Sequence, residues 1–247
     1  MSTNAMDGSG SRILQGHDAE QLRLLQETLR MGELAAVQLE GALALLARND
    51  PTAAMRLIAA DAAIDALEQQ ISHDVMQLAL HGPMARDLRG ILAALRITSD
   101  IERIGDFAAN LAKRSTVLGD ALPRQRIATL QGIGHLAVTQ LREVMAAYRD
   151  HDAEAARAVR ERDVAIDRAY TAVFAELLGD MMGDAATIPA CAHLLFVAKN
   201  LERIGDHATN IAENVWFLVH GDDPLPPREK RDGSSTLAAG YSSNPAR

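Results

Sequence analysis

Apolar residues recur along this chain with the spacing of buried helix faces. Ile97, Ile101, Ile104, Ala108 and Leu111 lie three or four residues apart, as do Val197, Leu201, Ile204, Ala208 and Ile211. A further run follows Leu57, Ile64, Leu67, Ile71 and Leu78. Such spacing predicts amphipathic helices. Asp50-Pro51 reads as an N-cap with proline at the first helical position, and Gly82-Pro83 and then Gly119 with Pro123 interrupt the pattern. Asp152, and Thr187 with Pro189, offer later starts, while Gly183 and Gly221 offer stops. The result is an all-α chain of six helices.

The pattern is used twice. Gly32, Leu34, Ala35, Gln38 and Leu39 recur as Gly134, Leu136, Ala137, Gln140 and Leu141, and Asp61, Ile64 and Asp65 recur as Asp163, Ile166 and Asp167, in one gapless register. Two residues are lost in the turn before the last helix of the second copy, after which Glu102 aligns with Glu202. The expected organisation is therefore two tandem three-helix bundles related by an internal repeat, residues 17–119 and 120–221. Residues 1–16 form a flexible N-terminal lead-in, and residues 222–247, rich in Gly, Ser and Pro, a flexible C-terminal tail.

The repeat is sharpest at Glu102-Arg103-Ile104-Gly105-Asp106 and Glu202-Arg203-Ile204-Gly205-Asp206, each followed by an asparagine, Asn110 and Asn210. Positions i, i+4 and i+8 form a stripe on a helix, so Glu102, Asp106 and Asn110 point one way, as do Glu202, Asp206 and Asn210. At ~100° per residue this oxygen-rich ridge lies well away from the apolar stripe, toward the outside of the bundle. A solvated face is the plain reading, with Arg103 pairing to Asp106 at i+3 for ~0.2–0.5 kcal/mol. The glycines weigh against it. Gly costs ~1 kcal/mol relative to Ala inside a helix, yet Gly105 and Gly205 occupy the same place twice, where a neighbouring helix would come close.

Each unit also carries an acidic pair one helix earlier, Asp61 with Asp65 and Asp163 with Asp167, flanking that helix's apolar stripe. In a three-helix bundle this flank can face the flank of the third helix, bringing both pairs together around Gly105 or Gly205. Carboxylates so placed repel one another unless protons or cations intervene, and oxygen-preferring metals such as Fe, Mn, Mg or Ca would neutralise them. A Cys/His zinc cage has no support, because the single cysteine and eight histidines show no ligand spacing. Di-iron carboxylate oxidases need Glu-x-x-His on two helices, and no histidine here has Glu three residues before it. A metal-dependent phosphoesterase or oxidase remains the alternative function, but no nucleophile, general base or anion-holding glycine loop stands out and no catalytic residue is assigned.

Composition narrows the class. Of 247 residues 48% are hydrophobic but only 3% aromatic, which suits an Ala/Leu-rich helical protein. One cysteine, Cys191, excludes an internal disulfide framework and fits a reducing compartment, so a cytoplasmic location is expected. No apolar run approaches the ~20 residues of a membrane span, and the N-terminus lacks a secretory h-region. A net charge of −8 without a basic cluster argues against nucleic-acid binding.

Pro83-Met84-Ala85-Arg86-Asp87-Leu88-Arg89, Ile101-Glu102-Arg103-Ile104-Gly105-Asp106 with Asn110, and Leu201-Glu202-Arg203-Ile204-Gly205-Asp206-His207-Ala208-Thr209-Asn210-Ile211-Ala212-Glu213 resemble the PhoU family of phosphate-transport accessory proteins. The resemblance spans roughly His17 to Gly221. It implies two related three-helix bundles with multinuclear metal clusters, iron first among them and Mn, Mg, Zn or Ca as alternatives, on the bundle surface. The metal ligands it implies are Asp61, Asp65, Glu102 and Asp106 in the first unit and Asp163, Asp167, Glu202 and Asp206 in the second, with Asn110 and Asn210 behind them. Arg103 and Arg203 are the candidates for partner contact. Glu68 has Tyr170 as its counterpart, so the two sites need not be equal. The implied role is that of a negative regulator of the phosphate-starvation response. It would link the ATPase subunit of a phosphate ABC transporter to a sensor histidine kinase, as a homodimer peripheral to the membrane through its partners, without catalysis.

Overall fold

The structure is a computed structural model that describes residues 7–48, 50–80, 85–118, 124–223, 225–227 and 232–234. Among them the chain forms α1 (Asp7–Leu46), α2 (Pro51–Ala60), α3 (Ala62–Leu80), α4 (Ala85–Ser115), α5 (Arg124–Asp150), α6 (Ala153–Arg162), α7 (Val164–Gly183), a short 3-10 turn (Ala185–Thr187) and α8 (Ile188–His220). No strand occurs among the described residues.

Most helix ends follow the expected chemistry. The Asp50 carboxylate accepts from the Ala53 amide at 2.9 Å and Asp152 from the Ala155 amide at 2.9 Å, each satisfying a donor that the first turn leaves orphaned. Gly221 ends α8 at φ 72°, a left-handed conformation suited to glycine, and its amide donates to the Phe217 carbonyl. Thr187 precedes α8 but does not cap it. Its hydroxyl donates back to the carbonyls of Asp180 and Asp184, while the Asp184 carboxylate caps the 3-10 turn through the Ala186 amide. Gly82-Pro83, Gly119 and Pro123 lie outside the described residues. α1 starts at Asp7, inside the expected lead-in.

The expected six helices are corrected to eight among the described residues, because the second helix of each unit is interrupted, at Asp61 and at Asp163. The backbone there stays right-handed helical (φ −55°, ψ −36° at Asp61; φ −59°, ψ −24° at Asp163), while hydrogen bonding tightens to i+3. The Ile64 amide reaches the Asp61 carbonyl at 2.8 Å and the Ile166 amide the Asp163 carbonyl at 2.9 Å. Tightening of this kind bends a helix without ending its apolar periodicity, so the pattern runs through the break unmarked.

Each unit packs as expected, α1 with α2, α3 and α4, and α5 with α6, α7 and α8. The units also pack on each other, through α1 against α5 and α4 against α8, and one hydrophobic core runs through both. Small side chains allow this. Ala35, Ala42, Ala108, Ala137, Ala198, Ala208 and Ala212 are fully buried between larger Ile and Leu residues, which contribute about 1.5–3 kcal/mol each on burial. No described helix is long and apolar enough to cross a membrane.

Candidate functional site

The two interrupted helices deliver their acidic residues to the glycines of α4 and α8. A Cβ at Gly105 would stand 3.0 Å from Ile64 Cδ1, 3.1 Å from Asp61 Oδ1 and 3.3 Å from Gln38 Oε1. A Cβ at Gly205 would meet the same set, with Asp163 Oδ1 at 2.5 Å, Ile166 Cδ1 at 3.2 Å and Gln140 Oε1 at 3.5 Å. In both repeats the first aspartate of the upstream pair is brought against the motif glycine. Each carboxylate sits where a methyl group would otherwise be, which explains why the motif tolerates glycine in mid-helix. Gln38 and Gln140 join the site although neither is acidic; their recurrence in register is the signal that could have found them. Gln38 donates through Nε2 to Asp61 Oδ1 at 3.0 Å. Its Oε1 and that of Gln140 are buried without a hydrogen-bond partner.

In the first repeat the acids form an open field. Burial pushes the Asp61 carboxyl above the usual carboxylate range, with the Gln38 hydrogen bond acting against it and the charges of Asp65 and Asp106 adding to it. Burial likewise lifts Glu102, helped by Asp106, Asp65 and Glu68 and opposed by Arg103. The side chains of Glu102 and Asp106 remain 24% and 44% exposed, and Asp65 is exposed as well. Arg103 lies along the rim, 3.4 Å from Glu102 and 3.3 Å from Asp106, a pairing as weak as expected for exposed groups.

The second repeat departs from the expected outward ridge. Asp163, Asp167 and Glu202 are only 1%, 2% and 4% exposed. Lys199, one turn before Glu202, places Nζ 2.7 Å from Glu202 Oε2 and 3.6 Å from Asp232 Oδ2. Its ammonium also stands 5.1 Å over the ring of Tyr170, the residue that replaces Glu68. Burial lifts the Glu202 carboxyl while Lys199 opposes the rise. The exposure expected of this ridge is thus corrected at Glu202, beside a lysine and a distant segment that the helical periodicity does not register, while Asp206 is half-buried and Asn210 exposed.

The remaining candidates are placed as follows. Asn110 is half-buried, and Asn210 donates across the repeat boundary to Asp100 Oδ1 at 3.1 Å, beside His207 Nδ1 at 2.8 Å from the same oxygen. Arg203 is exposed, with its guanidinium 5.2 Å over the ring of Phe107 on α4. Together with Arg160, Asp206, His207, Asn210 and Glu213 it lines an open polar cleft of about 430 Å³. Among the described residues no three Asp, Glu, His or Cys side chains are gathered tightly enough to enclose one ion. In the first repeat the carboxyls of Asp61 and Glu102, raised by burial first and by neighbouring carboxylates second, share a patch with the orphaned amide oxygen of Gln38, all of them oxygen donors of the class that Mn, Mg or Ca prefers.

A family model described as the PhoU domain matches this chain twice, over residues 28–115 and 130–215. The chain belongs to the PhoU family. It is 56% identical over 225 residues to the phosphate-specific transport system accessory protein PhoU homolog of Xylella fastidiosa, covering 91% of this chain and 95% of that one. A relative of the same name from Rhizobium meliloti is 41% identical over 94% of this chain and 98% of its own. Among solved structures, PhoU from Pseudomonas aeruginosa superposes with a TM-score of 0.79 at 32% identity, covering 83% of this chain and 99% of that chain. The phosphate transport system regulatory protein PhoU from Streptococcus pneumoniae gives 0.79 at 30% identity, covering 85% and 100%. These PhoU relatives are named for accessory and regulatory roles, which lends the enzymatic alternative no support.

Proposed function

We propose that this PhoU-family protein is a cytoplasmic regulatory adaptor of phosphate homeostasis that damps the phosphate-starvation response. It links the ATPase subunit of a phosphate ABC transporter to a sensor histidine kinase and acts as a homodimer. The observation that carries the reading is the glycine-backed acidic patch of the first repeat, in a chain that matches phosphate-transport accessory proteins over nine-tenths of its length. Asp61, Asp65, Glu102 and Asp106 would hold the metal, iron first, with Gln38 Oε1 as a neutral donor. A bound cation supplies positive charge to a surface that is otherwise negative, and so changes which partner surface it attracts.

The open cleft beside Arg203 and Asp206 gives a partner both signs of charge to pair with, and Arg103 offers the equivalent charge on the first repeat. Co-purification of the transporter ATPase and the kinase with wild-type protein and with an Asp106→Ala/Asp206→Ala variant, with and without chelator, tests this. Weaker capture in the variant and after chelation is expected. Unchanged capture in both would sink the metal-gated adaptor reading, and metal-dependent turnover of a phosphate ester in the same samples would replace it with an enzyme.

A further inference from the structure

We infer that the acidic patch of the second repeat is closed to external cations by the chain itself, through Lys199 and the Asp232–Ser234 segment, so that metal uptake is confined to the first repeat; only the last clause rests on the metal-binding reading proposed above. The two patches share their floor, glycine, aspartate and a buried glutamine amide, but not their lid. At the position of Lys199 the first repeat has Ser99, and at the position of Tyr170 it has Glu68. A compact cation on a flexible stem therefore occupies in one repeat the place that stays open in the other.

The segment Asp232–Ser234 completes the closure. Asp232 Oδ2 lies 3.6 Å from Lys199 Nζ, and the Gly233 amide donates to Thr171 Oγ1 at 3.1 Å on α7. The Ser234 amide donates to Asp232 Oδ1 at 2.9 Å, which holds that carboxylate in place. Further back the chain is held where Arg160 Nη1 donates to the Pro226 carbonyl at 3.1 Å and Trp216 Nε1 to the Asp223 carbonyl at 2.8 Å. These contacts set Asp223 beside α8, Pro226 beside α6, and residues 232–234 beside α7 and α8. Exposure differs accordingly: Asp163, Asp167 and Glu202 are buried, whereas Asp61, Asp65 and Glu102 all retain access to solvent, and only Asp206, on the cleft side, stays as half-buried as its counterpart Asp106. Arg103 does not play the part of Lys199, because it lies 56% exposed on the outer rim of the first patch.

The test uses Mn²⁺ alone, with bound metal per chain measured after desalting and amide exchange followed at residues 232–234. Lys199→Met keeps the stem against Tyr170 and deletes the charge; Thr171→Val loosens the segment without touching an acid. Closure predicts that Glu202→Gln leaves the bound Mn²⁺ of wild type unchanged, while Lys199→Met adds about one further ion per chain and speeds exchange at 232–234 by about tenfold. Thr171→Val speeds the same exchange. Equal loss of Mn²⁺ in Glu202→Gln and Asp106→Asn, or unchanged metal and exchange in Lys199→Met, overturns it. Mn²⁺ uptake by Lys199→Met but not by wild type supports closure and refutes the first-repeat metal reading instead.

Discussion

Asp163 presses so closely on Gly205 that a methyl group at residue 205 would stand 2.5 Å from Asp163 Oδ1, closer than two such atoms can approach, whereas the equivalent distance from Gly105 to Asp61 Oδ1 is 3.1 Å. Replacing glycine by alanine gains about 1 kcal/mol of helix propensity, and overpacking a filled site costs about 1–3 kcal/mol. At Gly105 the neighbours need yield by only a few tenths of an ångström, so the two effects nearly cancel. At Gly205 the buried aspartate must move. Gly205→Ala is expected to lower stability by about 1–2 kcal/mol net and Gly105→Ala to change it by less than about 1 kcal/mol. Urea denaturation of both variants checks the difference, and equal losses would mean that the two contacts are not distinct.

The duplicated glycine, the repeat register and the approach of Asp61 and Asp163 to the glycines were all legible in the sequence, because each leaves a local mark: a helix-breaking residue where a helix is required, or identical residues at identical spacing. The interruptions at Asp61 and Asp163 were not, since the apolar stripe from Leu57 to Ile64 continues through a tightened turn. Lys199 was hidden for another reason. A lysine three residues before a glutamate on a helix has the form of an ordinary surface pair. Its second ionic partner, Asp232, and the neighbouring Gly233 that binds Thr171 stand in a polar stretch with no periodicity. Asp100 and His207 likewise meet only because α4 and α8 pack across the repeat boundary.

That last contact joins the two repeats. Asp100 Oδ1 accepts from both His207 Nδ1 and Asn210 Nδ2, and its side chain is only 14% exposed. Asp100→Ala removes the acceptor and leaves two donors at a half-buried junction, at a cost of about 1–3 kcal/mol. A fall in melting temperature of about 2–4 °C per kcal/mol is expected in a chain of this size. A melting curve unchanged within error would show that solvent replaces the contact.

Tyr148, at 3% exposure, is held neutral to higher pH than a free tyrosine. Burial pushes its phenol up to about 12, with a hydrogen bond to Thr28 acting in the opposite sense. An unfolded tyrosine ionises near about pH 10, so between about pH 10 and 12 the unfolded chain holds fewer protons and stability falls as pH rises. Tyr148→Phe keeps the ring in the core and removes the titration. Thermal melts at about pH 9 and 11 should therefore converge for the variant more than for wild type; parallel losses in both would place the alkaline sensitivity elsewhere.

The first acidic patch sets the opposite limb of the pH profile. Burial first, and then Asp106, raise the Glu102 carboxyl in the folded protein, while the unfolded chain ionises at the ordinary value of about 4.3. As pH rises through the window above that value the unfolded state releases its proton before the folded state does, so this group stabilises the fold below the window and its contribution is lost within it. In metal-free protein Glu102→Gln should consequently melt above wild type at about pH 7 and level with it at about pH 3. Saturating Mn²⁺ should invert the order at neutral pH. A cation that binds only the folded patch stabilises it by mass action, and a glutamine amide is a weaker ligand than the carboxylate it replaces. A Glu102→Gln variant that gains nothing without metal would show that Arg103 already neutralises the site, and one that keeps its advantage in Mn²⁺ would remove Glu102 from the ligand set.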